Sequence, residues 1–285
     1  LLGLGADLGE KTSMTPDSKA VISIIREVAA AEIMPRFRNL GADDIAQKRS
    51  PSDLVTTADL EAERRLSAAL TRLSPGSAVI GEEAAEHDPT VFAALAGASP
   101  VWLIDPVDGT NNFAHDKPCF AVIIAYCLAG DTVAGWIHDP VADATVWAAK
   151  GRGAWIEDGG GTRPIRTAPP RDLERMTGSL GWRLARRIKT QRESGLSMPG
   201  RIVRYGCVGR EYMDLGRGAL DFALYTRLKP WDHAAGALIH HEAGGFSQIT
   251  DDHTRYRPAP GIQETTLLLA PDEAGWHALA TALAA

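Results

Sequence analysis

Two carboxylates three residues apart, at the end of an apolar run, are the sharpest chemical signal in the chain. In Trp102-Leu-Ile-Asp105-Pro-Val-Asp108-Gly109-Thr110-Asn-Asn-Phe113 a strand-like segment runs directly into Asp105, and Asp108 follows. Pro106 fixes one torsion of the turn, Gly109 permits a tight backbone and close approach of a ligand, and Thr110 is placed to open a short helix. Two carboxylates on one turn can grip a hard cation through oxygen. The N–H groups of Gly109 and Thr110, free at a helix start, can hold a phosphate oxygen. A plain Asx-turn between strand and helix would use the same residues with no chemistry, so the motif has to be weighed with others.

Three further acidic segments share its placement. Gly81-Glu82-Glu83 follows the apolar strand Ala78–Ile80, at the carboxyl end where open α/β sheets put their sites. Ser52-Asp53-Leu-Val-Thr56-Thr57-Ala-Asp59 leads into a helix, where acids also serve as ordinary caps. Pro230-Trp231-Asp232 opens another helix that runs to Glu242-Ala-Gly-Gly245. Each alone reads equally well as a solvated turn or a helix-start acid; together they carry weight only if the fold makes them converge.

Hydrophobic periodicity marks the elements that must do this. Helices are predicted over Asp17–Met34 and Asp59–Leu73, with apolar residues at three- and four-residue spacing. Short strands are predicted at Ala78–Ile80 and Val101–Ile104. An antiparallel meander should follow over Ala121–Leu128, Thr132–His138, Ala144–Ala149 and Ala154–Ile156. Gly159–Pro170, rich in Gly, Pro and Thr, is the expected boundary between a half spanning 1–160, with the metal-binding motifs and the meander, and a half spanning 161–285 that closes the site. The second half alternates strands (Met176–Leu180, Arg201–Arg204, Leu220–Tyr225, Phe246–Ile249, Thr266–Leu269) with helices (Leu184–Gln191, Arg210–Arg217, Asp232–Glu242, Asp272–Leu283), the pattern of an α/β layer.

Composition narrows the function classes. With 30 basic and 36 acidic side chains in 285 residues the net charge is −6, which gives no electrostatic reason to coat nucleic acid. A content of 45 % hydrophobic and 23 % charged residues is that of a globular chain with a sizeable core. No apolar run approaches the roughly 18 residues a bilayer span needs. Leu1–Ser13, carrying Asp7 and Glu10, does not read as a secretory signal, and Met14 could be an alternative start. Gly3, Gly5 and Gly9 lack the spacing and preceding strand of a dinucleotide fingerprint. Cys119, Cys127 and Cys207, in no metal-ligand spacing, read as reduced thiols of a cytoplasmic protein. His240-His241-Glu242 is not a zinc motif, and His233 reads as a packing residue.

The order and spacing of Gly81-Glu82-Glu83, Asp105-Pro-Val-Asp-Gly-Thr110 and Trp231-Asp232 with Glu242-Ala-Gly-Gly245 closely resemble the inositol monophosphatase family of magnesium-dependent, lithium-sensitive phosphatases. Asp53-Leu-Val-Thr-x-Ala-Asp59 matches a further family segment, and the resemblance extends from about Asp17 to the C-terminus. It implies an α/β (α+β layered) fold, the alternating αβαβα sandwich of the inositol monophosphatase and fructose-1,6-bisphosphatase type, often dimeric. Carried over by residue, Glu82, Asp105 and the carbonyl of Val107 would hold one Mg²⁺, and Asp105, Asp108 and Asp232 a second. Glu82 with Glu83 would serve a weaker third, and Mn²⁺ could substitute. Thr110, bonded to Asp59, would position and deprotonate the attacking water, with Glu82 in the same catalytic group. Gly109, Thr110 and Asp232 would face the substrate, and Lys48 lies where a basic residue approaches the site.

The resemblance implies a Mg²⁺-dependent phosphomonoesterase acting on a small phosphorylated alcohol, with no nucleic-acid polymer or membrane as partner and a homodimer as its assembly. Inositol 1-phosphate is the default substrate. Histidinol phosphate, fructose 1,6-bisphosphate and 3′-phosphoadenosine 5′-phosphate are the alternatives, since relatives acting on them keep the same metal acids. The chain departs from the family on the alcohol side. Tyr225 stands seven residues before Asp232, where inositol-phosphate enzymes carry a glutamate, and Gly209-Arg210-Glu211 replaces a run of small residues. Arg210, Glu211 and Tyr225 are therefore expected at the substrate mouth, the alternative for Arg210 being a salt bridge with Glu211 or a neighbour. Asp116-Lys117 after His115 is a further departure. A metal- or phosphate-binding regulator without turnover is the non-enzymatic alternative, disfavoured by the complete set Asp59, Glu82, Asp105, Asp108, Thr110 and Asp232.

Overall fold

A computed structural model describes residues 15–48, 50 and 53–284. The readings of Leu1–Ser13, Met14, the glycines at 3, 5 and 9, and Ser52 fall outside them.

Helix α1 (Ser18–Val28) is capped by the Asp17 carboxylate, which accepts from the Lys19 N–H at 3.1 Å. The apolar stripe predicted to Met34 does continue, but as a π-helical turn over Ala29–Ile33, with the Met34 N–H donating to Ala29 at 2.9 Å. A two-strand ladder, β1 (Ile45–Gln47) and β2 (Leu54–Thr56), leads into α2 (Thr57–Leu73). Helix α2 starts with a capping box: the backbone N–H and hydroxyl of Thr56 both donate to Asp59 Oδ2, at 2.8 and 2.6 Å.

Then come β3 (Ala78–Gly81), α3 (Glu82–His87), β4 (Val101–Asp108), α4 (Thr110–Ala114), β5 (Ala121–Leu128), β6 (Asp131–Asp139), β7 (Ala144–Ala149), β8 (Ala154–Asp158) and β9 (Gly161–Ile165). Strands β3 to β9 form one seven-stranded sheet in chain order, parallel only between β3 and β4. The Gly159–Pro170 stretch thus contains β9, the outer strand of this sheet, and the chain leaves the sheet only after Ile165.

The second sheet has the order β11 (Arg201–Val203), β10 (Thr177–Ser179), β12 (Phe222–Tyr225), β14 (Leu267–Ala270), β13 (Phe246–Ile249). Helices α5 (Trp182–Glu193), α6 (Val208–Gly216), α7 (Pro230–Glu242) and α8 (Glu273–Ala284) complete the fold.

Side-chain alternation in the strands explains the layering. In β4 and β5, Trp102, Ile104, Val122 and Ile124 face α1 and α2, whereas Leu103, Ile123 and Ala125 face α6 and α7. In β14, Leu267 and Leu269 meet the α6–α7 layer, and Leu268 meets α5 and α8 through Ile188, Trp276 and Leu279. The result is helix, sheet, helix, sheet, helix: the αβαβα sandwich. Strands buried on both faces read as continuous apolar runs.

One glycine sets how near α7 comes to the large sheet. A Cβ at Gly135 in β6 would lie 2.7 Å from the Ala235 Cα. Gly135→Val should therefore force α7 away and destabilise the protein by about 1–3 kcal/mol. Urea denaturation checks this; unchanged stability would contradict the close packing that delivers the start of α7 to the site.

Candidate active site

Three element ends meet over the α6–α7 face of the large sheet. Parallel pairing of β3 and β4 sets Gly81 beside Ile104, so the residues that follow, Glu82 and Asp105, lie side by side. In a regular strand Asp105 and Asp108 would point to opposite faces. Here Asp105 is paired with Ile123 and Asp108 with Ala121, three residues opposite two, so a bulge absorbs one. Ile123 and Ala121 share the face toward α7, and so their two partner aspartates do as well. Asp232 arrives from the first turn of α7, after Pro230 at the helix start.

Carboxylate oxygens of Glu82, Asp105 and Asp232 all lie within 4.8 Å of one another. They line a cavity of about 190 Å³ together with Asp108, Val107, Gly109, Thr110 and Lys229. Gly109, at φ 85°, makes the left-handed turn into α4, and a Cβ there would lie 3.0 Å from the Cys119 carbonyl oxygen. Asp108 is anchored from α6: its Oδ2 accepts from the Gly209 N–H at 2.6 Å and the Cys207 thiol at 3.0 Å. The Thr110 hydroxyl has two acceptors in reach, Val107 O at 2.9 Å and Asp59 Oδ1 at 3.2 Å.

This donor set fits a hard divalent ion. It consists of carboxylate oxygens and the nearby Val107 carbonyl, with no imidazole or thiolate among the described residues that line the cavity. Burial and crowding shift the acids from their ordinary range. Burial pushes Asp105 well above the usual carboxylate range, and the carboxylates of Glu82, Asp108 and Asp232 push it further. Burial raises Asp108 too, and raises Asp232 to about 8 against the opposing charge of Lys229. Burial also lifts Asp59, to about 7. Glu82 is the exception: burial works upward, but the ammonium groups of Lys229 and Lys48 outweigh it and hold Glu82 below its ordinary value.

Other sequence-predicted residues stand beside this lining and not in it. Glu83 does not line the cavity; it holds Lys48 at 2.6 Å, an ammonium also 3.2 Å from Glu86 and 3.7 Å from Glu82. One ammonium cannot neutralise three acids, and burial raises Glu83 to about 8. Arg210, Glu211 and Tyr225 do not line the cavity either. Arg210 reaches Asp139 at 2.9 Å and Asp214 at 3.4 Å rather than Glu211. Glu211 accepts from Ser179 and, at 2.9 Å, from the Tyr225 hydroxyl, which makes a satisfied buried pair. The Tyr225 ring packs on His233 with centroids 4.7 Å apart, and His233 Nδ1 is 3.1 Å from the Tyr212 hydroxyl, a packing role. His240 is buried against Gly245.

Besides Lys229, two contributors escape the sequence reading. Glu63 accepts from the N–H groups of Glu83 and Ala84, at 2.8 and 2.9 Å, and so fixes the start of α3. Its spacing of four from Asp59 on α2 was an available signal, since both then share a helix face. Cys207, read as a bland thiol, touches Asp108, and no local pattern announces that. A wider cavity of about 390 Å³ beside α7 and β13 has its acids already engaged: Asp131 pairs with Lys150 and Arg257, and Glu242 accepts from Gly151 and Gly153.

Comparison with known proteins shows the family. The model of the inositol monophosphatase family matches residues 14–283. The chain therefore belongs to that family of metal-dependent phosphatases and is a phosphatase hydrolase. It is 32 % identical over 210 residues to a fructose-1,6-bisphosphatase/inositol-1-monophosphatase of Thermotoga maritima, covering 73 % of this chain and 75 % of that one. To an inositol-1-monophosphatase of Mycobacterium leprae it is 33 % identical over 213 residues, 73 % and 72 % of the two chains. Among solved structures, the IMPase of Thermotoga maritima superimposes with a TM-score of 0.74 at 25 % identity, covering 92 % of this chain and 94 % of that one. No described helix is long and apolar enough to cross a membrane.

Proposed function

We propose that this chain releases phosphate from a small phosphorylated alcohol with the help of Mg²⁺, inositol 1-phosphate being the default substrate. The convergence of Glu82, Asp105 and Asp232 oxygens within 4.8 Å carries the reading. Glu82, Asp105 and the Val107 carbonyl would hold one ion; Asp105, Asp108 and Asp232 would hold a second, with Mn²⁺ as a substitute. Divalent ions there supply charge neutralisation for a dianionic ester and activation of water. The acids come from both halves, Asp232 from 161–285 and the others from 1–160, so the two halves close the site jointly.

The chain's own groups do the rest. Thr110 orients the attacking water through its hydroxyl, and Asp59 Oδ1 takes up the proton passed along that contact. Burial lifts Asp59 above the usual carboxylate range, which favours its taking up a proton. Thr110→Ala and Asp59→Asn should each lower kcat by about a hundredfold with little change in KM. A loss in KM alone, measured by initial rates, would contradict that division of labour. Gly109 and Thr110 offer first-turn N–H groups to a phosphate oxygen.

Arg210, Glu211 and Tyr225 stay in this reading as the residues that would meet the alcohol: they stand outside the cup's lining, with Tyr225 packed on His233, the neighbour of Asp232, and bonded to Glu211. The name of the Thermotoga relative keeps fructose 1,6-bisphosphate in view. The test is phosphate release, as kcat/KM, from inositol 1-phosphate, histidinol phosphate, fructose 1,6-bisphosphate and 3′-phosphoadenosine 5′-phosphate. Release from none of them above blank would favour a regulator that binds metal or phosphate. Lithium sensitivity, a cytoplasmic homodimer and the absence of nucleic-acid or membrane partners belong to the same proposal.

A further inference from the structure

The cup contains a cation that belongs to the chain. Lys229 immediately precedes α7, three residues before Asp232, so one helix start delivers both an acid and an ammonium to the same cavity. Its Nζ is 2.8 Å from Glu82 Oε1. The side chain is four-fifths shielded and its Nζ lies 5.5 Å above the Trp231 ring. Trp231 is itself 1 % exposed and stacked on Phe92 at 5.8 Å, so the platform under the ammonium is fixed. Lys48 differs: its closest acid is Glu83, outside the cavity lining.

We infer that Lys229 is a tethered cation that occupies Glu82 in the metal-free protein and has to leave that carboxylate when a divalent ion loads, so that this side chain weakens and thereby sets the affinity of the cup for its ion. The inference rests on the metal-site reading above. A divalent ion needs the Glu82 carboxylate at roughly 2.0–2.6 Å, and an ammonium held on the same group would stand a few ångströms from that ion and repel it. A lysine can yield, because its charge rides on a flexible four-carbon stem. The net effect is competition: the acids remain partly neutralised without metal, and the metal binds less tightly than four unpaired carboxylates would allow.

Titration of chelator-treated protein with Mn²⁺, the free ion read by electron paramagnetic resonance, tests this without measuring activity. Lys229→Met should bind its first Mn²⁺ about tenfold more tightly than wild type, and Lys229→Arg, which keeps the charge, should stay near wild type. Equal or weaker binding by a folded Lys229→Met would overturn the inference and leave the metal reading intact. Wild type that binds no Mn²⁺ would instead overturn the metal reading itself. Wild-type crystals grown with and without Mn²⁺ give a check that needs no variant. Nζ should lie about 3 Å from Glu82 only in the metal-free form, and an ammonium still on Glu82 beside a bound ion would contradict displacement.

Discussion

Asp105→Asn should lower kcat by on the order of a thousandfold at saturating Mg²⁺ while leaving the metal-free fold as stable as before or more so. In the proposed assignment Asp105 would serve both ions, and it is 2 % exposed with Glu82, Asp108 and Asp232 around it. Without metal, an ionised carboxylate there is a liability, both desolvated and repelled. The amide removes that charge and can keep the bond that Oδ1 accepts from the Val107 N–H at 3.1 Å. Loss of activity and retention of stability therefore go together, which separates a metal ligand from a structural acid. Initial rates and melting curves in chelator measure the two halves. Near-normal turnover, or a variant that unfolds, would count against the assignment.

The metal-free protein should lose stability between about pH 6.5 and 8.5, with a fall in Tm on the order of 5 °C. Burial raises Asp59 and Glu211 to about 7, and Glu83 and Asp232 to about 8. Unfolded, all four ionise near pH 4. The folded chain therefore holds protons that the unfolded chain has released, and this stabilisation disappears as pH rises through 7 and 8. Three buried histidines act in the opposite direction: burial holds His138 to about 4, and His233 and His240 to about 3. Their effect ends near pH 6.5, where unfolded histidine gives up its proton, so the window above it reports the acids. Mg²⁺ should raise Tm more at pH 8.5 than at 6.5, since binding then displaces fewer protons. Melting curves in chelator that stay flat or rise across this window would contradict the crowded-acid picture.

How much of this was legible before the fold was known depended on locality. Asp105, Asp108, Glu82 and Asp232 announce themselves because each sits at a strand end or helix start beside a Gly or Pro that shapes the turn. The buried strands of the large sheet stood out as apolar runs. By contrast, β9 is the outer strand, exposed along most of its length and carrying Pro164, which an edge tolerates and a central strand would not. Its composition therefore resembles a linker. The bulge between Asp105 and Asp108 depends on pairing with β5 and has no local mark. The neighbours of Arg210 in sequence say nothing of its ion pair. Its actual partner Asp139 comes from β6, 71 residues away. Lys229 and Cys207 matter for the same reason, through contacts across 147 and 99 residues with Glu82 and Asp108.

Anomalous diffraction from crystals grown with Mn²⁺ addresses the central claim directly. Peaks are expected in the cup between Glu82, Asp105 and Asp232, with Asp108 and the Val107 carbonyl as further ligands. An empty cup at saturating Mn²⁺, or ions bound only at other acids, would contradict it.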